Sequence, residues 1–320
     1  MPTSEEMRAH LDQIPNLTVS ANVPLARHTR FGVGGPADLY AETGAETAFL
    51  DALRAAEGAG IPVMVIGGGT NLIVSDGGYR GLVLRYRGDA LGAERNRVTA
   101  GAGAELQRLV DFTVDRGLQG LETLAGIPGW TGAAVYGNAG AYGHSISERV
   151  ARVRFFDGTQ VGEFTHAECR FAYRESVFKR HKEWIIFSVE LELATGDRAE
   201  LRRTADGIAK TRNEKFPATM QCAGSVFKNL LLRELAPAAA AEVPTEAVRD
   251  GKVPAAWFLE QVGAKGLERG GIRVADYHAN LIYNAGSGTA AELCALIEDL
   301  KARVRARFGF ELEEEVQYVG

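Results

Sequence analysis

The chain has 320 residues, 46% of them hydrophobic and 24% charged, and a formal net charge of −5. This length allows two or three domains with cores of their own, and the composition is that of a globular protein. The acidic balance argues against non-specific binding of nucleic acid, which requires a basic surface. No apolar run reaches the length that spans a bilayer, and the opening residues lack the basic-then-apolar order of a signal peptide. We therefore expect no membrane and no nucleic-acid partner.

The cysteines and histidines are scattered along the chain. Cys169, Cys222 and Cys294 lie far apart and form neither a CxxC motif nor a Cys/His zinc pattern. Reduced thiols in a cytoplasmic protein fit this arrangement best. The histidines do not pair at the spacing of metal ligands, and His166 with Cys169 comes nearest. The sequence predicts a cytoplasmic protein without a metal site.

The first part of the chain has the pattern of an α/β unit. Residues 46–57 show the apolar spacing of a helix, and residues 61–66, 70–75 and 81–86 have the character of strands. A glycine triplet, residues 67–69, follows the first of these strands. A dinucleotide-binding fingerprint needs its glycines to open a helix. Because this triplet lies between extended segments, that motif is excluded, and backbone N–H groups would have to bind any phosphate.

The pattern then predicts a second α/β unit and an α+β segment. In chain order we expect a strand at 97–100, a helix at 105–115, a strand at 148–156, a hairpin turn at 157–158, a capping box of Thr165 and Glu168, a strand at 184–193, a helix at 197–212, helices near 254–264 and 288–308, and a closing strand at 310–319. Pro217 marks the expected boundary before the last segment.

A second glycine-rich stretch covers residues 125–143, AGIPGWTGAAVYGNAGAYG. Glycine permits positive φ and lets another molecule approach the backbone closely. Two such stretches in one chain suggest a large ligand held by main-chain N–H groups, and a pyrophosphate is the usual candidate. A pair of structural turns is the alternative that glycine content alone leaves open.

Two short segments place reactive side chains among small or aromatic residues. In FAYRESVFK, Arg174 could clamp a carboxylate or phosphate, or simply pair with Glu175 at the surface. In QCAGSVFKN, a turn leads into a predicted strand with Ser225 on one side and Lys228 on the other. Most serines in such a setting are only hydrogen-bonded structure, so the segment by itself decides nothing.

The last part of the chain carries two more candidate clusters. Lys265, His278 and Asn280 lie in a glycine-rich setting, where a solvated lysine and a core histidine are the alternative. The predicted closing strand has two chemically distinct faces. They comprise Phe310, Leu312, Val316 and Tyr318 on one side, and Glu311, Glu313, Glu315 and Gln317 on the other. Such a carboxylate row is ordinarily a solvated sheet face.

The order and the amino-acid sequences of these segments resemble those of the UDP-N-acetylenolpyruvoylglucosamine reductase (MurB) family of bacterial cell-wall synthesis. The segments that carry the resemblance are HTRFGVGGPADL, IGGGTNLIVSDGGYRGLV, GIPGWTGAAVYGNAGAYG, FAYRESVFK, AGSVFKN, the pair AKG and HANLIYN, and FGFELEEEVQYVG. They span the chain from residue 28 onward. The short stretch between Arg174 and Ser225 resembles the second type of the family, which lacks an inserted segment bearing a tyrosine that covers the substrate.

The resemblance implies an α+β protein with an FAD-binding fold of the PCMH or vanillyl-alcohol-oxidase type. Its two α/β subdomains would be residues 1–90 and 91–205, and a C-terminal α+β substrate domain would be residues 206–320. It implies non-covalent FAD, NADPH as co-substrate, and a UDP-sugar substrate. The implied reaction reduces the enolpyruvyl ether of UDP-N-acetylglucosamine to UDP-N-acetylmuramate, for peptidoglycan synthesis, cell shape and cell division.

The resemblance also assigns expected roles to individual residues. Arg174 would bind the substrate carboxylate and stabilise an enolate, with Glu315 as its partner, and Ser225 would protonate the carbon that bears the ether oxygen. Expected FAD contacts are Gly67, Gly68, Gly69, Thr70, Asn71, Leu72, Gly126, Ile127, Pro128, Gly129, Gly132, Asn138, Gly140, Ala141 and Tyr142. Expected substrate contacts are Tyr173, Lys228, Asn229, Lys265, His278 and Asn280. A straight strand would point Lys228 away from Ser225, so its role toward that serine stays open.

Two other functions remain to be distinguished. Another flavoprotein of the same fold could oxidise a hydroxy acid or an alcohol, commonly with FAD tethered through His or Cys. A nucleotide-binding protein without catalytic activity would be colourless, or would hold a flavin that NADPH does not reduce.

Overall fold

The computed structural model describes residues 3–320. Its helices are α1 (Ser4–Leu11), α2 (Glu46–Gly58), α3 (Leu106–Val114), α4 (Thr131–Tyr136), α5 (Val177–Arg180), α6 (Arg198–Lys215), α7 (Pro237–Glu242), α8 (Ala255–Gln261) and α9 (Ala290–Phe308). Short 3-10 helices cover Leu25–His28, Glu122–Leu124, Ile146–Arg149, Leu232–Glu234 and Thr245–Ala247. None of the helices in this part of the chain is both long and apolar enough to cross a membrane.

The strands are mostly short. They are β1 (Thr18–Pro24), β2 (Pro36–Thr43), β3 (Val63–Ile66), β4 (Leu72–Val74), β5 (Tyr79–Tyr86), β6 (Leu91–Glu94), β7 (Arg97–Gly101), β8 (Leu118–Gln119), β9 (Gly140–Ala141), β10 (His144–Ser145), β11 (Val150–Phe156), β12 (Val161–Thr165), β13 (Ile185–Glu192), β14 (Ala194–Thr195), β15 (Leu230–Leu231), β16 (Lys252–Val253), β17 (Glu268–Arg269), β18 (Ile272–Ala275), β19 (His278–Asn284) and β20 (Gln317–Val319).

The described residues form two compact units. Unit 1 contains the chain up to Val23, Ala37–Gly69 and Arg80–Pro217, and unit 2 contains Pro24–Pro36, Thr70–Tyr79 and Ala218–Gly320. Helix α6 runs on through residue 205, and the change of unit falls after Pro217. The three-domain division at residues 90 and 205 stays a prediction.

Unit 1 contains two sheets that share a core. The first sheet has the strand order β1-β2-β5-β3, with β3 parallel to β5, and the second is the antiparallel order β12-β11-β13-β7-β6. Phe49 of α2 meets Phe187 of β13 edge-to-face, with ring centroids 5.7 Å apart. Since aromatic pairs of this kind bury large apolar areas, this core joins the two sheets into one unit. Helices α3, α4 and α6 bury their apolar faces in a second core beside the larger sheet.

Unit 2 is built around the antiparallel sheet β17-β18-β19 and helices α8 and α9. A separate parallel pair joins β4 to β20, with Leu72 opposite Gln317. The apolar side of α9 is buried at Leu293, Ile297, Leu300 and Val304, and Gly309 ends the helix in the left-handed conformation, with φ 77°. The predicted stripe and cap of this helix are confirmed.

Most predicted elements of regular period are confirmed, including the strand–glycine turn–strand order around residues 67–69. Several others are wrong in extent. The strand expected at 148–156 begins with a 3-10 turn, and the helix expected at 254–264 ends at Gln261. The amide and hydroxyl of Thr165 both donate to Glu168, but a turn follows instead of a helix. A short helix, α4, lies inside the second glycine stretch, where none was expected.

Two predicted strands of unit 2 are wrong, and both lie at the candidate site. The segment 221–229, where a turn into a strand was predicted, forms only isolated bridges. Val226 and Phe227 are both buried, whereas successive residues of a strand with one buried face would alternate between buried and exposed. In the closing segment only Gln317–Val319 is a strand. There Val319 is buried and Tyr318 is 49% exposed, so the predicted face of Tyr318 is also wrong.

The cysteines are free thiols. Cys169 is fully buried in unit 1, and this burial raises the pKa of its thiol to about 12. Because the thiolate is the reactive form, Cys169 is chemically inert in the folded chain. Among residues 3–320 no group of three or more His, Cys, Asp or Glu side chains is placed to hold a metal ion.

Candidate active site

The two glycine-rich segments lie against each other in unit 1. Gly67 and Gly68 follow β3 directly, and Gly69 has a positive φ of 68°. A Cβ placed on Gly68 would lie 3.1 Å from the Trp130 ring, at the start of α4. Glycine is therefore needed where the first turn approaches the second stretch.

Arg85 of β5 holds the two segments together, a role that was not predicted for this residue. Its Nε donates to the carbonyl oxygen of Gly67 at 3.0 Å, and its guanidinium lies 4.2 Å from the centre of the Trp130 ring. A second donor, Nη1, bonds the Tyr40 hydroxyl at 3.2 Å. Burial raises the pKa of that hydroxyl, while the Arg85 hydrogen bond and charge oppose the rise. An arginine near the end of a mostly apolar strand, followed by Tyr86, was the available signal for this role.

The first glycine turn fits a phosphate ligand. Leaving aside bonds within helices and strands, the amides of Gly67, Gly68 and Gly69 are not among the backbone hydrogen-bond donors of residues 3–320. Successive amides that include a left-handed residue form a concave donor set for anions. The strand that follows, β4, excludes help from a helix dipole, as the sequence analysis expected. These residues are thus suited to a pyrophosphate group such as that of FAD.

The second glycine stretch is partly structural. Gly132 lies so close to the β7–α3 turn that an added Cβ would be 2.7 Å from the Cβ of Ala102. The amide of Gly126 donates to Gln107 at 2.7 Å, and the carbonyl oxygen of Gly129 accepts from Leu106 at 2.9 Å. Packing therefore explains these glycines without a ligand. Their proposed contacts to FAD stay predictions.

The end of the same stretch holds the segment that carries Arg174. Asn138 is buried and has a positive φ of 44°, and its Nδ2 donates to the carbonyl oxygen of Ala172 at 2.7 Å while its Oδ1 accepts from Ser147 at 3.3 Å. The Ser176 hydroxyl donates to the carbonyl oxygen of Tyr136 at 2.6 Å. These bonds fix the Asn138 side chain against the Arg174 segment, and its contact to FAD stays a prediction. Tyr142, by contrast, is 54% exposed in unit 1.

Arg174 occupies the third position of a tight turn. The amide of Ala172 donates to the carbonyl oxygen of Glu175 at 3.0 Å, and the reverse bond is 3.1 Å. Arg174 has a φ of 56°, in the region that favours glycine or asparagine, and its Nη2 donates to the carbonyl oxygen of Gly140 at 3.0 Å. Tyr173 lies beside it, with its ring centre 5.3 Å from the guanidinium carbon. Strain of this kind is common at functional positions.

In unit 2, the structure places the Ser225 segment beside Glu315. The Glu315 amide donates to the carbonyl oxygen of Val226 at 2.7 Å, and the Val226 amide donates to the carbonyl oxygen of Asn280 at 3.1 Å. Ser225 itself pairs with Leu281 in a single bridge. Two predicted catalytic residues, Ser225 and Glu315, are therefore held on adjoining segments.

Asn71 contacts Glu315 directly. Its Nδ2 donates to the Glu315 carbonyl oxygen at 2.7 Å, and its own carbonyl oxygen accepts from the Gln317 amide at 2.9 Å. Asn71, two residues after Gly69, thus fixes the backbone of Glu315, a predicted catalytic residue. From the sequence, only a contact with FAD was predicted for Asn71.

Lys228 has a partner other than Ser225. It is buried, its amide donates to the carbonyl oxygen of Glu313 at 2.9 Å, and its ammonium group forms an ion pair with the Glu313 carboxylate. Glu314 is similarly engaged: it accepts from Lys301 at 2.8 Å. Hydrogen bonds to Glu314 and Glu298 raise the Lys301 pKa although burial opposes this. The side chains of the two residues that precede Glu315 are therefore held by ion pairs.

The remaining predicted substrate residues differ in how accessible they are. Asn229 is exposed and its Oδ1 accepts from the Ala255 amide at 3.3 Å, and Lys265 pairs with Glu260 at 2.9 Å with 40% of its side chain exposed. His278 is buried and its Nδ1 accepts from the Asn280 amide at 3.3 Å.

Asn280 is 2% exposed, and both its amide atoms bond one residue. The Oδ1 accepts from the Phe227 amide and the Nδ2 donates to the Phe227 carbonyl oxygen, each at 2.9 Å. The side chain therefore acts like a neighbouring strand for Phe227, in place of the regular strand that was predicted there. We describe Asn280 as a positioning residue for the Ser225 segment.

Replacing Asn280 with leucine should destabilise the protein by about 2–4 kcal/mol, because the amide and carbonyl groups of Phe227 would be left unpaired in the core. Urea denaturation measures this loss. The exposed Gln13, just after α1, is the control, and its leucine variant should stay within about 0.5 kcal/mol of the parent. Equal stability of the two variants would contradict the positioning role.

A glycine turn between two strands, set against a second glycine stretch in a mixed α/β unit, is the arrangement expected of a protein that holds the phosphates of a nucleotide cofactor with backbone amides. Residues 37–166 match the family model described as FAD binding domain, and residues 216–319 match the one described as UDP-N-acetylenolpyruvoylglucosamine reductase, C-terminal domain. The chain belongs to the UDP-N-acetylenolpyruvoylglucosamine reductase (MurB) family. The predicted family, fold class and use of FAD are confirmed.

Relatives in this family match nearly the whole chain. The UDP-N-acetylenolpyruvoylglucosamine reductase of Solibacter usitatus is 70% identical over 96% of this chain and 98% of its own length. That of Bacillus subtilis is 33% identical over 94% of each chain. The crystal structure of the reductase from Thermus caldophilus superimposes with a TM-score of 0.74 at 27% identity, covering 95% of this chain and all of that one.

Proposed function

We propose that this protein uses NADPH and FAD to reduce the enolpyruvyl ether of UDP-N-acetylglucosamine to UDP-N-acetylmuramate. The observation that carries the proposal is 70% identity to a reductase of that family over nearly the full length of both chains. The FAD-binding and C-terminal family models both match, so cofactor and substrate regions are both accounted for. The enzyme is a flavin-dependent oxidoreductase that supplies a peptidoglycan precursor. Through the cell wall built from that precursor it contributes to cell shape and cell division.

The glycine turn at residues 67–69 would hold the FAD pyrophosphate through its backbone amides, with Arg85 and Trp130 fixing the turn from behind. Bound there, FAD would supply the hydride chemistry that links NADPH to the substrate. Thr70, Asn71, Leu72 and the residues named above from the second glycine stretch would provide the remaining cofactor contacts. The free thiols of Cys169, Cys222 and Cys294 support a reducing, cytoplasmic location.

Arg174 and Glu315 act on the substrate carboxylate. Hydride adds to the terminal methylene carbon, which becomes a methyl group, and the electron pair of the double bond moves toward the carboxylate as an enolate. A guanidinium fork suits two carboxylate oxygens and stabilises the charge that develops on them. Glu315 would be the partner of Arg174 at the same group. Both roles are supported by the match of these residues to the family's motifs.

Ser225 supplies the proton that completes the reduction. The carbon bearing the ether oxygen takes a proton from the Ser225 hydroxyl as the enolate collapses to a carboxylate. A serine hydroxyl is a weak acid, so its position must be fixed before it can act. The bonds from Asn280 and Glu315 to Val226 and Phe227 supply this fixation. Water then restores the serine proton.

Substrate binding falls to residues that flank these groups. Tyr173, Asn229 and Lys265 are accessible at least in part, and the Lys265 ammonium group is suited to phosphate oxygens. Lys228 neutralises Glu313 and is held by it, which supports a role in shaping the site more than a direct bond to Ser225. His278 and Asn280 support the site from within the core.

Steady-state turnover of the purified yellow protein tests the proposal. Without oxygen, NADPH consumption beyond one equivalent of flavin should require the UDP-linked enolpyruvyl ether, and acid denaturation should release all of the flavin. A flavin that stays attached after denaturation and is reduced by hydroxy acids or alcohols would indicate an oxidase or dehydrogenase of the same fold. A colourless preparation would indicate a nucleotide-binding protein without catalysis.

A further inference from the structure

The turn that carries Arg174 is held in an unfavourable backbone conformation. Arg174 has a φ of 56°, a left-handed conformation that is unfavourable for an L-residue with a long side chain. Such a conformation persists only where surrounding contacts favour it over the ordinary one. If Arg174 returned to negative φ, its own peptide groups would rotate and the guanidinium would leave its present position.

Lys179 is the side chain that acts on the carbonyl group of Arg174. Its ammonium group donates to the Arg174 carbonyl oxygen at 2.9 Å and pairs with Glu175 Oε1 at 2.9 Å. Only 15% of the Lys179 side chain is exposed, so these bonds are shielded from water. The bonds of Asn138 and Ser176 fix neighbouring residues of the segment, but not this carbonyl.

The position of Lys179 follows from helix α5. Ser176 caps the helix by accepting from the Lys179 amide at 3.3 Å, and one helical turn then brings the lysine back over the preceding tight turn. The pairing with Glu175 is an i, i+4 contact. The ammonium group is therefore set by local geometry, not by a flexible surface conformation.

We propose that Lys179 is a positioning residue for the second half-reaction, because it stabilises the left-handed conformation that presents the Arg174 guanidinium. The inference rests on the role proposed above for Arg174. It assigns Lys179 no contact with substrate or cofactor. Its effect should appear in reduction of the enolpyruvyl ether and not in reduction of the flavin by NADPH.

The test compares the two half-reactions of the intact flavoprotein carrying Lys179→Met. Reoxidation of the reduced flavin by the enolpyruvyl ether should slow by about 10- to 100-fold, since misplacement of a catalytic group by about 1 Å has an effect of that size. Flavin reduction by NADPH should be unchanged. Lys179→Arg, which keeps a cationic donor, should recover most of the rate. Arg202→Met, which removes the ion pairs of Arg202 with Asp111 and Asp115 elsewhere in unit 1, is the matched control and should alter neither half-reaction.

A double-mutant cycle separates positioning from general stability. In an Arg174→Met background, Lys179→Met should slow reoxidation by less than about twofold further, because the two residues act as one unit. Independent, multiplying effects, or equal losses in both half-reactions, would overturn the proposal. If Lys179→Met does not fold, Lys179→Gln serves, with a smaller loss expected in reoxidation alone and an unchanged rate overturning the idea. Failure of the parent protein to reoxidise would instead refute the proposed function.

Discussion

Replacing Ser225 with alanine should leave NADPH reduction of the flavin intact and slow reoxidation by the enolpyruvyl ether by about 10²–10⁴-fold, the usual contribution of a positioned general acid. The reason is that the hydroxyl acts only when the ether carbon takes its proton. Stopped-flow absorbance of the flavin, recorded without oxygen, measures the two half-reactions separately. The methyl side chain of alanine leaves the backbone bonds of Val226 and Phe227 in place.

The exposed Ser287 offers a matched control for this experiment. Its alanine variant should reproduce the parent in both half-reactions. If Ser225→Ala slows flavin reduction as much as reoxidation, the serine is structural and another group donates the proton. Mass spectrometry of the product would then identify whether reduction still reaches completion.

The second large effect is expected for Arg174→Met. Loss of the guanidinium should lower the reoxidation rate by about 10²–10³-fold, as for other groups that stabilise a developing oxyanion. Methionine has the same Cβ as arginine and meets the same restriction at a φ of 56°, so the backbone strain is matched. Arg174→Lys should fall in between, because it keeps the charge but loses the two-pronged geometry.

Arg180 of α5 is an exposed arginine in the same segment, and Arg180→Met should have little effect on either half-reaction. A parallel loss of flavin content in Arg174→Met would indicate a different role, namely support of the Gly140 backbone that its Nη2 bonds. Unchanged reoxidation with full flavin content would remove Arg174 from the proposed chemistry.

The family, the fold class and the use of FAD could be predicted because the informative segments are local in sequence. The strand–glycine turn–strand order at residues 67–69 and the capped helix α9 depend on neighbouring residues, and both are confirmed. The periodic spacing of apolar residues also explains why the predicted and observed positions of α2, α3 and β13 agree.

The details of the site could not be predicted in the same way, because they depend on long-range pairing. Residues 221–229 read as a strand, but the side chain of Asn280 and the backbone of residues 313–315 take the place of regular neighbours. The same applies to Asn138 and Asn71, whose amides bond Ala172 and Glu315 far away in sequence. A single sequence shows which residues are polar, but not which of them have their polar groups already occupied.

The central claim is tested most directly by a single turnover without oxygen. The flavoprotein is first reduced with NADPH, separated from excess nucleotide, and mixed with the UDP-linked enolpyruvyl ether. We predict that the spectrum of oxidised flavin returns and that UDP-N-acetylmuramate forms in an amount equal to the flavin. A flavin that stays reduced until oxygen is admitted, with the ether recovered unchanged, would contradict the assigned reaction.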